Sequence, residues 1–161
     1  MSQMIDAIVS ALCAAGIRAV RAIPEGLMHT LQEPVTAVGL RGAQVQEKTA
    51  YTYLGMTQTE TAGEVPLYGR RLLQKIFFQT VCPRSAGAKA CTEEAERIMQ
   101  FLLEPIAAAK ITQFQMGECE YDPLADTFSC TVTAQAEGYL YALANSDDTE
   151  FTDFILKGEA K

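Results

Sequence analysis

The sequence predicts an α+β fold, with a mixed, largely antiparallel β-sheet and two helices packed on one of its faces. Three observations predict this class. Segments with strand patterning outnumber segments with helical periodicity, several strands are joined by connections of hairpin length, and strands and helices do not alternate as a doubly wound sheet requires. The chain has 161 residues, the usual size of one domain, so we predict a single α+β domain over residues 1–161.

The first segment has helical periodicity. Apolar residues recur at helical spacing between Ser2, which can cap a helix, and Gly16, which can end one. Residues 17–23 then have the composition of a short strand that Pro24 ends. Residues 26–33 fit a helical turn or a loop equally well.

Strand patterns dominate the next part of the chain. Residues 34–45 alternate in side-chain direction with two mostly apolar faces, which predicts a central strand. Residues 49–54 are rich in β-forming side chains. Residues 55–68 are polar and longer than a usual connection, so we expect a loop that is functional or mobile. Residues 70–82 are predicted to form a long strand.

A second helix is predicted from about Thr92 to Glu104, where Pro105 ends it, with three glutamates in its first turn. Residues 111–121 and 127–138 flank the turn sequence DPLAD and predict an antiparallel hairpin.

The remaining residues are expected to extend this sheet. Residues 139–144 can continue the second hairpin strand, residues 145–148 form a turn, and residues 151–156 form a weak final strand. The segment 145–161 is therefore an extended C-terminal strand or a tail.

Charge is unevenly distributed along the chain. The net charge is −7; residues 1–90 carry nine basic and six acidic residues, a net +3, and residues 91–161 carry four and fourteen, a net −10. Tight nucleic-acid binding requires clustered Lys and Arg, and the sequence has no such run. Either the acidic residues keep the protein soluble, or the oppositely charged parts of one subunit bind those of its neighbours head to tail and so close a ring.

The sequence contains none of the common catalytic or metal-binding motifs. It has no phosphate-binding glycine loop, no GxSxG and no HExxH, and its five cysteines form no CxxC pair. His29, the single histidine, is interpreted as a structural or surface residue. We therefore expect no enzyme activity, and neither a metal nor a cofactor. Residues 4–15 are apolar but too short to span a membrane and lack a basic leading segment, so the cytoplasm is the expected location.

Two pairs of carboxylates are close enough in sequence to suggest acid–base chemistry. Glu118 and Glu120 are two residues apart, which places both on one face of a regular strand. Asp122 and Asp126 frame the DPLAD turn, where aspartate binds backbone amides. A solvated strand face and a turn explain these pairs better than catalysis does.

Basic residues begin the long strand. These are Arg70, Arg71 and Lys75. Their charges either prevent an edge strand from pairing with strands of other molecules, or they contact an acidic neighbouring subunit, where arginine can bind carboxylates with two hydrogen bonds. We predict a subunit interface with the following residues: Arg41, Arg70, Arg71, Lys75, Glu118, Glu120, Asp147 and Asp148.

Several segments carry a resemblance to a known family. They are, in order, PVTAVGL, a polar loop, LYGRRLLQKIFFQTVCP, the helix CTEEAERIMQFLLEPI and the hairpin YDPLADTFSCTVTAQAEG. Most of residues 1–140 resembles, in element order, the small tail-terminator and head–tail-joining proteins of tailed phages and prophages. The segment after Asn145 departs from that pattern.

The resemblance implies a structural subunit that forms a ring, commonly hexameric, which caps the tail tube and joins it to the head within the virion. Its partners would be further copies of itself and other tail or neck proteins. The polar loop would lie at the ring surface. Two other functions remain open: a small-molecule-binding α+β domain with a pocket near Tyr51 and Tyr53, and another phage structural subunit such as a tail-tube or decoration protein.

Overall fold

In the part of the chain that the structure describes, seven β-strands form one sheet, and two long helices cover part of one face. The computed structural model describes residues 2–45, 52–59, 63–107, 109–143 and 154–157, and it confirms the predicted α+β class. The helices are α1 (Ser2–Ala14), α2 (Glu25–Met28) and α3 (Gly87–Leu103), the last preceded by a 3-10 turn at Arg84–Ala86. The strands are β1 (Ala19–Val20), β2 (Val35–Val45), β3 (Thr52–Thr59), β4 (Gly63–Pro83), β5 (Lys110–Asp122), β6 (Thr127–Leu143) and β7 (Phe154–Lys157).

The antiparallel pair β4–β6 is the centre of the sheet. Its register runs without a shift from Leu67 opposite Leu143 to Pro83 opposite Thr127. Strands β2 and β3 pair with successive parts of β4, and β5 and β7 pair with successive parts of β6. Among the described strands, only β1, which pairs with β2, is parallel to its neighbour. The sheet is therefore mixed but largely antiparallel, as predicted.

This pairing divides the sheet into two parts. We call the part built from β2, β5 and the strand segments between them the body. The arm is the other part, residues 52–59, 63–69, 139–143 and 154–157, in the strand order β3-β4-β6-β7. Helices α1 and α3 contact strands of the body, and all buried residues of the main apolar cluster belong to the body or to elements packed on it.

The core lies between the two long helices and one face of the body. Alternate residues of β4 point into it, because successive side chains of a strand leave opposite faces. Its fully buried large side chains include Ile8 and Leu12 from α1, Ile98 from α3, Val38 from β2, Ile76 and Phe78 from β4 and Val132 from β6. The prediction of two helices on one face is thus confirmed.

The core ends along β4 at Gln74. This side chain is buried, its Oε1 has no hydrogen-bond partner among the described residues, and its amide packs over Gly138, where a Cβ would lie 2.9 Å from Nε2. Leu72 is the last buried apolar side chain before the strand enters the arm. The buried amide of Gln74 thus lies between Ile76, the last residue of β4 in the main apolar cluster, and the arm, which begins at Gly69.

Helix α1 ends as Gly16 predicts. The amide of Gly16 donates to the carbonyl of Cys13 and the amide of Ile17 donates to the carbonyl of Leu12, both at 3.0 Å. Gly16 has a φ of +79°. This is the Schellman arrangement, in which a residue with positive φ ends the helix, and glycine adopts that conformation without strain.

Helix α3 begins earlier than predicted. It starts at Gly87 rather than near Thr92, because Ala88, Lys89 and Ala90 are good helix formers and continue the 3-10 turn directly. Glu93, the first of the three glutamates, consequently lies in the second turn, so the predicted role of these glutamates at the helix start is wrong. The predicted C-terminal end before Pro105 is confirmed.

The described residues of the polar segment 55–68 form strands rather than a loop. They include most of β3 and the start of β4, which pair from Thr52 opposite Gly69 to Thr59 opposite Gly63 with a register shift between Tyr53 and Gly55; residues 60–62 lie outside the described residues. The prediction failed because this hairpin buries neither face in the core, so its sequence shows no apolar alternation. Residues 49–51 of the predicted 49–54 strand lie outside the described residues.

Three further predictions differ in extent. The strand predicted at 17–23 is reduced to Ala19–Val20. The strand predicted as central, β2, lies next to the edge, since the short β1 is its only outer neighbour among the described residues. The predicted extension of the second hairpin strand is confirmed to Leu143, whereas residues 145–148 lie outside the described residues and β7 covers only Phe154–Lys157 of the last predicted region.

The face of the sheet opposite the two long helices is called the open face. Here Phe77 of β4 lies over Gly39, its register partner in β2, and a Cβ on Gly39 would lie 2.6 Å from two ring carbons of Phe77. The glycine thus leaves room for the ring. Among the described residues, no helix is long and apolar enough to cross a membrane.

Replacing Gly39 tests this packing. We expect Gly39→Val to lower the free energy of unfolding by about 1–3 kcal/mol, because the new side chain forces the Phe77 ring to move. The matched control is Gly42→Val in the same strand, where a Cβ meets no atom within 4 Å. Urea unfolding followed by circular dichroism measures both variants. Equal losses in the two variants would contradict the close approach at Gly39.

Candidate subunit interface

Basic side chains gather on the sheet where the body meets the arm. Arg71 and Lys75 are exposed and four residues apart on β4, which places both on the open face. In β2 the register shifts between Leu40 and Gly42, and Gly42 lies opposite Lys75. The bulge leaves Arg41 exposed on the strand next to Lys75. We call Arg41, Arg71 and Lys75 the basic cluster; the sequence predicted all three, and strand pairing brings them together.

Arg70 does not join this cluster. It alternates to the other face of β4 and is half-buried. Arg70 and Arg71 are adjacent in sequence and were predicted together, but the strand places them on opposite faces of the sheet.

A further cation on the open face is already neutralised. Lys110 Nζ lies 2.8 Å from Glu137 Oε2, and this hydrogen bond, with the carboxylate charge, raises the pKa of Lys110, while the positive charge of Arg71 opposes the rise. Arg71 is thus near enough to affect the pair. Within the described ranges, neither Arg71 nor Lys75 forms an ion pair, so the cluster keeps its positive charge.

Glu118 and Glu120 form an acidic edge on the outermost part of the body. Both are exposed on β5, which pairs only with β6 among the described residues. The register shifts between Met116 and Cys119, so Glu118 lies at a bulge. Their shared face was predicted for a regular strand, and the strand is irregular at this point.

The acidic edge is distant from the basic cluster of the same subunit. Lys75 pairs with Gln135 and Glu120 pairs with Ser129, six residues further along β6. At about 3.3 Å per residue the two groups lie roughly 20 Å apart along the strand and two strands apart across the sheet. They cannot neutralise each other within one molecule. Asp147 and Asp148, also predicted for the interface, lie outside the described residues.

The DPLAD sequence forms the predicted turn. Asp122 Oδ1 accepts hydrogen bonds from the amides of Leu124, at 2.9 Å, and Ala125, at 3.3 Å. Asp126 has a φ of +53°, accepts a hydrogen bond from the Tyr121 hydroxyl and lies 3.4 Å from the guanidinium of Arg84. These carboxylates hold the turn, which supports their structural interpretation.

The arm exposes large apolar side chains, none of which belongs to the predicted set of interface residues. Tyr53 and Tyr68 lie opposite each other, with ring centroids 5.8 Å apart in an edge-to-face arrangement. Tyr53, Met56 and Tyr68 are 55%, 51% and 40% exposed. The signal in the sequence was the β-forming composition of this region, which the polar residues around it obscured.

Four of the five cysteines converge between α3 and the sheet, although their spacing in sequence is irregular. The Cys91 thiol interacts with those of Cys82 and Cys119, and Cys130 lies opposite Cys119 in the sheet. Cys82, Cys91 and Cys130 are buried, and none of the cysteines forms a disulfide. Among the described residues no group of three or more potential ligands has the arrangement to hold a metal ion.

Described residues line at least two clefts. One, of about 640 Å³, is lined by Met28, His29, Leu31, Pro83, Arg84, Ser85, Ala125 and Asp126. The other, of about 290 Å³, lies on the open face and is lined by Gln113, Phe114, Gln115, Thr133 and Gln135. His29 is exposed in the first cleft, in keeping with a surface residue.

No protein-family model matches the chain, and no curated protein matches it. The function is therefore inferred from the sequence and the geometry.

The buried thiols predict a dependence of stability on pH. Burial raises the pKa of Cys130 from 9.0 to about 11. Between these values the unfolded thiol loses its proton while the folded one keeps it, so the folded state binds more protons and stability falls as pH rises. Urea unfolding at pH 8, 9, 10 and 11 should show this decline, and it should be less steep in Cys130→Ala. Identical pH dependence in the two proteins would contradict the assignment.

Proposed function

We propose that the protein is a structural subunit of a phage or prophage virion that assembles head to tail into a ring, capping the tail tube and joining it to the head as tail terminators do. The observation that carries the proposal is the separation of the basic cluster from the acidic edge. Each is exposed, and neither can reach the other within one subunit. A second copy can supply the opposite charge to both.

Such a contact joins two different surfaces. Repeated head-to-tail contacts of this kind close into a ring when the rotation between subunits allows it, and otherwise build a filament. Arginine in the basic cluster suits this role because its planar group can bind a carboxylate through two hydrogen bonds. The charge division along the chain, +3 before residue 91 and −10 from there on, supports the same arrangement.

The proposed role requires no catalysis, and the described side chains support a binding role better than a reaction. Asp122 and Asp126 are engaged in turn hydrogen bonds, as described above. In this proposal the partners are further copies of the chain and other tail or neck proteins, and the subunit ends in the virion.

A small-molecule-binding domain is the second candidate, and the cleft beside His29 favours it. Its volume, about 640 Å³, lies within the range of ligand-binding sites. A rise in melting temperature with one member of a metabolite panel, lost in Arg84→Ala, would favour this function. A tail-tube or decoration subunit is a third candidate, and genes for portal, capsid and tail-tube proteins beside this one would support any of the structural roles.

Charge reversal in the basic cluster tests the assembly. We expect the double variant Arg71→Glu, Lys75→Glu to associate at least about tenfold more weakly than wild type, because each exposed ion pair contributes roughly 0.2–1 kcal/mol and like charges repel. The control is Lys89→Glu, which reverses an exposed charge on α3 outside both charged groups; it also removes the exposed ion pair of Lys89 with Glu93, a loss of at most about 1 kcal/mol in folding stability that does not bear on assembly. Size-exclusion chromatography with light scattering over a concentration series gives the association constants.

Salt and imaging complete this test. Raising the salt concentration should weaken assembly, since exposed charges are screened over about 8–10 Å near physiological ionic strength. Negative-stain images should show rings of wild type. A protein that stays monomeric at every concentration and forms no ring beside tail components would refute the proposed function, whereas normal assembly of the double variant would remove its electrostatic basis.

A further inference from the structure

The start of α3 lies against the edge strand β5 at a cysteine. Cys119 of β5 is directly opposite Cys130 of β6, and the Cys119 thiol donates a hydrogen bond to the carbonyl of Ala88, at 3.8 Å. Ala88 is three residues before Cys91 in α3, which is about one turn of helix. Cys91 and Cys119 therefore lie on the two sides of the same helix–strand contact.

The Cys91 side chain reaches the sheet from this turn of the helix. Its thiol donates to the carbonyl of Thr80 on β4, at 3.7 Å, and Thr80 lies opposite Cys130. Thr80, Cys130 and Cys119 thus form one row across β4, β6 and β5, and α3 places Cys91 over that row. The thiols of Cys91 and Cys119 also interact with each other, so their sulfur atoms are neighbours.

Solvent has access to this cluster at one of its thiols. Cys82, Cys91 and Cys130 are buried, whereas Cys119 is half-buried, and its hydrogen bond to Ala88 lies at the protein surface. A small oxidant can therefore reach Cys119, and the oxidised sulfur would have a second thiol beside it. An accessible cysteine next to a resolving cysteine is the usual arrangement of redox-responsive sites.

Cys91 is placed better than Cys130 to react with an oxidised Cys119. Cys130 is the register partner of Cys119, but its thiol donates to the carbonyl of Gly117, at 3.5 Å. The interaction of Cys119 is with the thiol of Cys91. A bond between Cys91 and Cys119 would join α3 to the strand that carries the acidic edge.

We propose that hydrogen peroxide converts the thiols of Cys119 and Cys91 into a reversible disulfide that ties α3 to β5. The Cys119 sulfur attacks one oxygen of the peroxide, the O–O bond breaks, and the products are a sulfenic acid on Cys119 and water. The Cys91 sulfur then attacks the Cys119 sulfur. The S–S bond forms as the S–O bond breaks, and the hydroxide leaves with the Cys91 proton as a second water. Two electrons pass from the two thiols to the peroxide.

Mapping the bond in the wild-type chain tests the proposal without a substitution. Burial raises the pKa of the Cys119 thiol, so little of the reactive thiolate is present at neutral pH, and the protein is oxidised with hydrogen peroxide at pH 9. After denaturation, alkylation and proteolysis, mass spectrometry should find the peptides of Cys91 and Cys119 joined, and dithiothreitol should separate them. Any other pairing, a bond between two molecules, or no bond would overturn the proposal.

Two alanine variants separate this reaction from general thiol oxidation. Cys119→Ala removes the accessible thiol of the cluster, and Cys13→Ala is the matched control, because Cys13 is exposed on α1 outside the cluster. Circular dichroism checks that both variants fold. On oxidation, the free thiols of the cluster should fall by two in Cys13→Ala and should not change in Cys119→Ala. Loss of cluster thiols in Cys119→Ala, or their full retention in Cys13→Ala, would overturn the proposal.

Discussion

The long antiparallel pair β4–β6 is the constraint on which the rest of the structure depends. Strand β4 has 21 residues, about 70 Å of extended chain, whereas α3 has 17 residues, about 25 Å of helix. A helix of that length can cover less than half of the strand. Backbone hydrogen bonding continues along β4 beyond the core, at Gln74, and so produces an arm whose side chains are not needed for the subunit's own apolar core.

Periodicity predicted the body because the body buries one face. Gly16, the strand at 34–45 and the hairpin around Asp122 all have patterns that burial or a turn imposes, and the structure confirms them. The arm has no such pattern, since neither of its faces enters the core, and it was mistaken for a loop. The start of α3 was missed for a different reason: Ala88 and Lys89 suit a helix but carry no apolar periodicity.

The candidate interface was predictable as a set of charges but not as an arrangement. Arg71 and Lys75 follow from alternation in one strand, whereas Arg41 joins them only through the pairing of β2 with β4 and its bulge. Because Arg70 is next to Arg71 in sequence, it was predicted to lie with Arg71 and Lys75. Side chains alternate along the strand, however, so Arg70 lies on the other face of the sheet. The convergence of four cysteines was equally invisible, because their contacts cross α3, β4, β5 and β6 and leave no regular spacing.

The central claim of the proposed function is that the basic cluster of one copy contacts the acidic edge of the next copy. Amide hydrogen exchange at two protein concentrations, one monomeric and one assembled, tests it most directly. The amides of residues 41–45, beside the basic cluster, and of residues 117–121, in the acidic edge, should exchange at least about tenfold more slowly on assembly, whereas those of α1 should be unchanged. Equal exchange at both charged surfaces in the monomer and in the assembly would contradict the account.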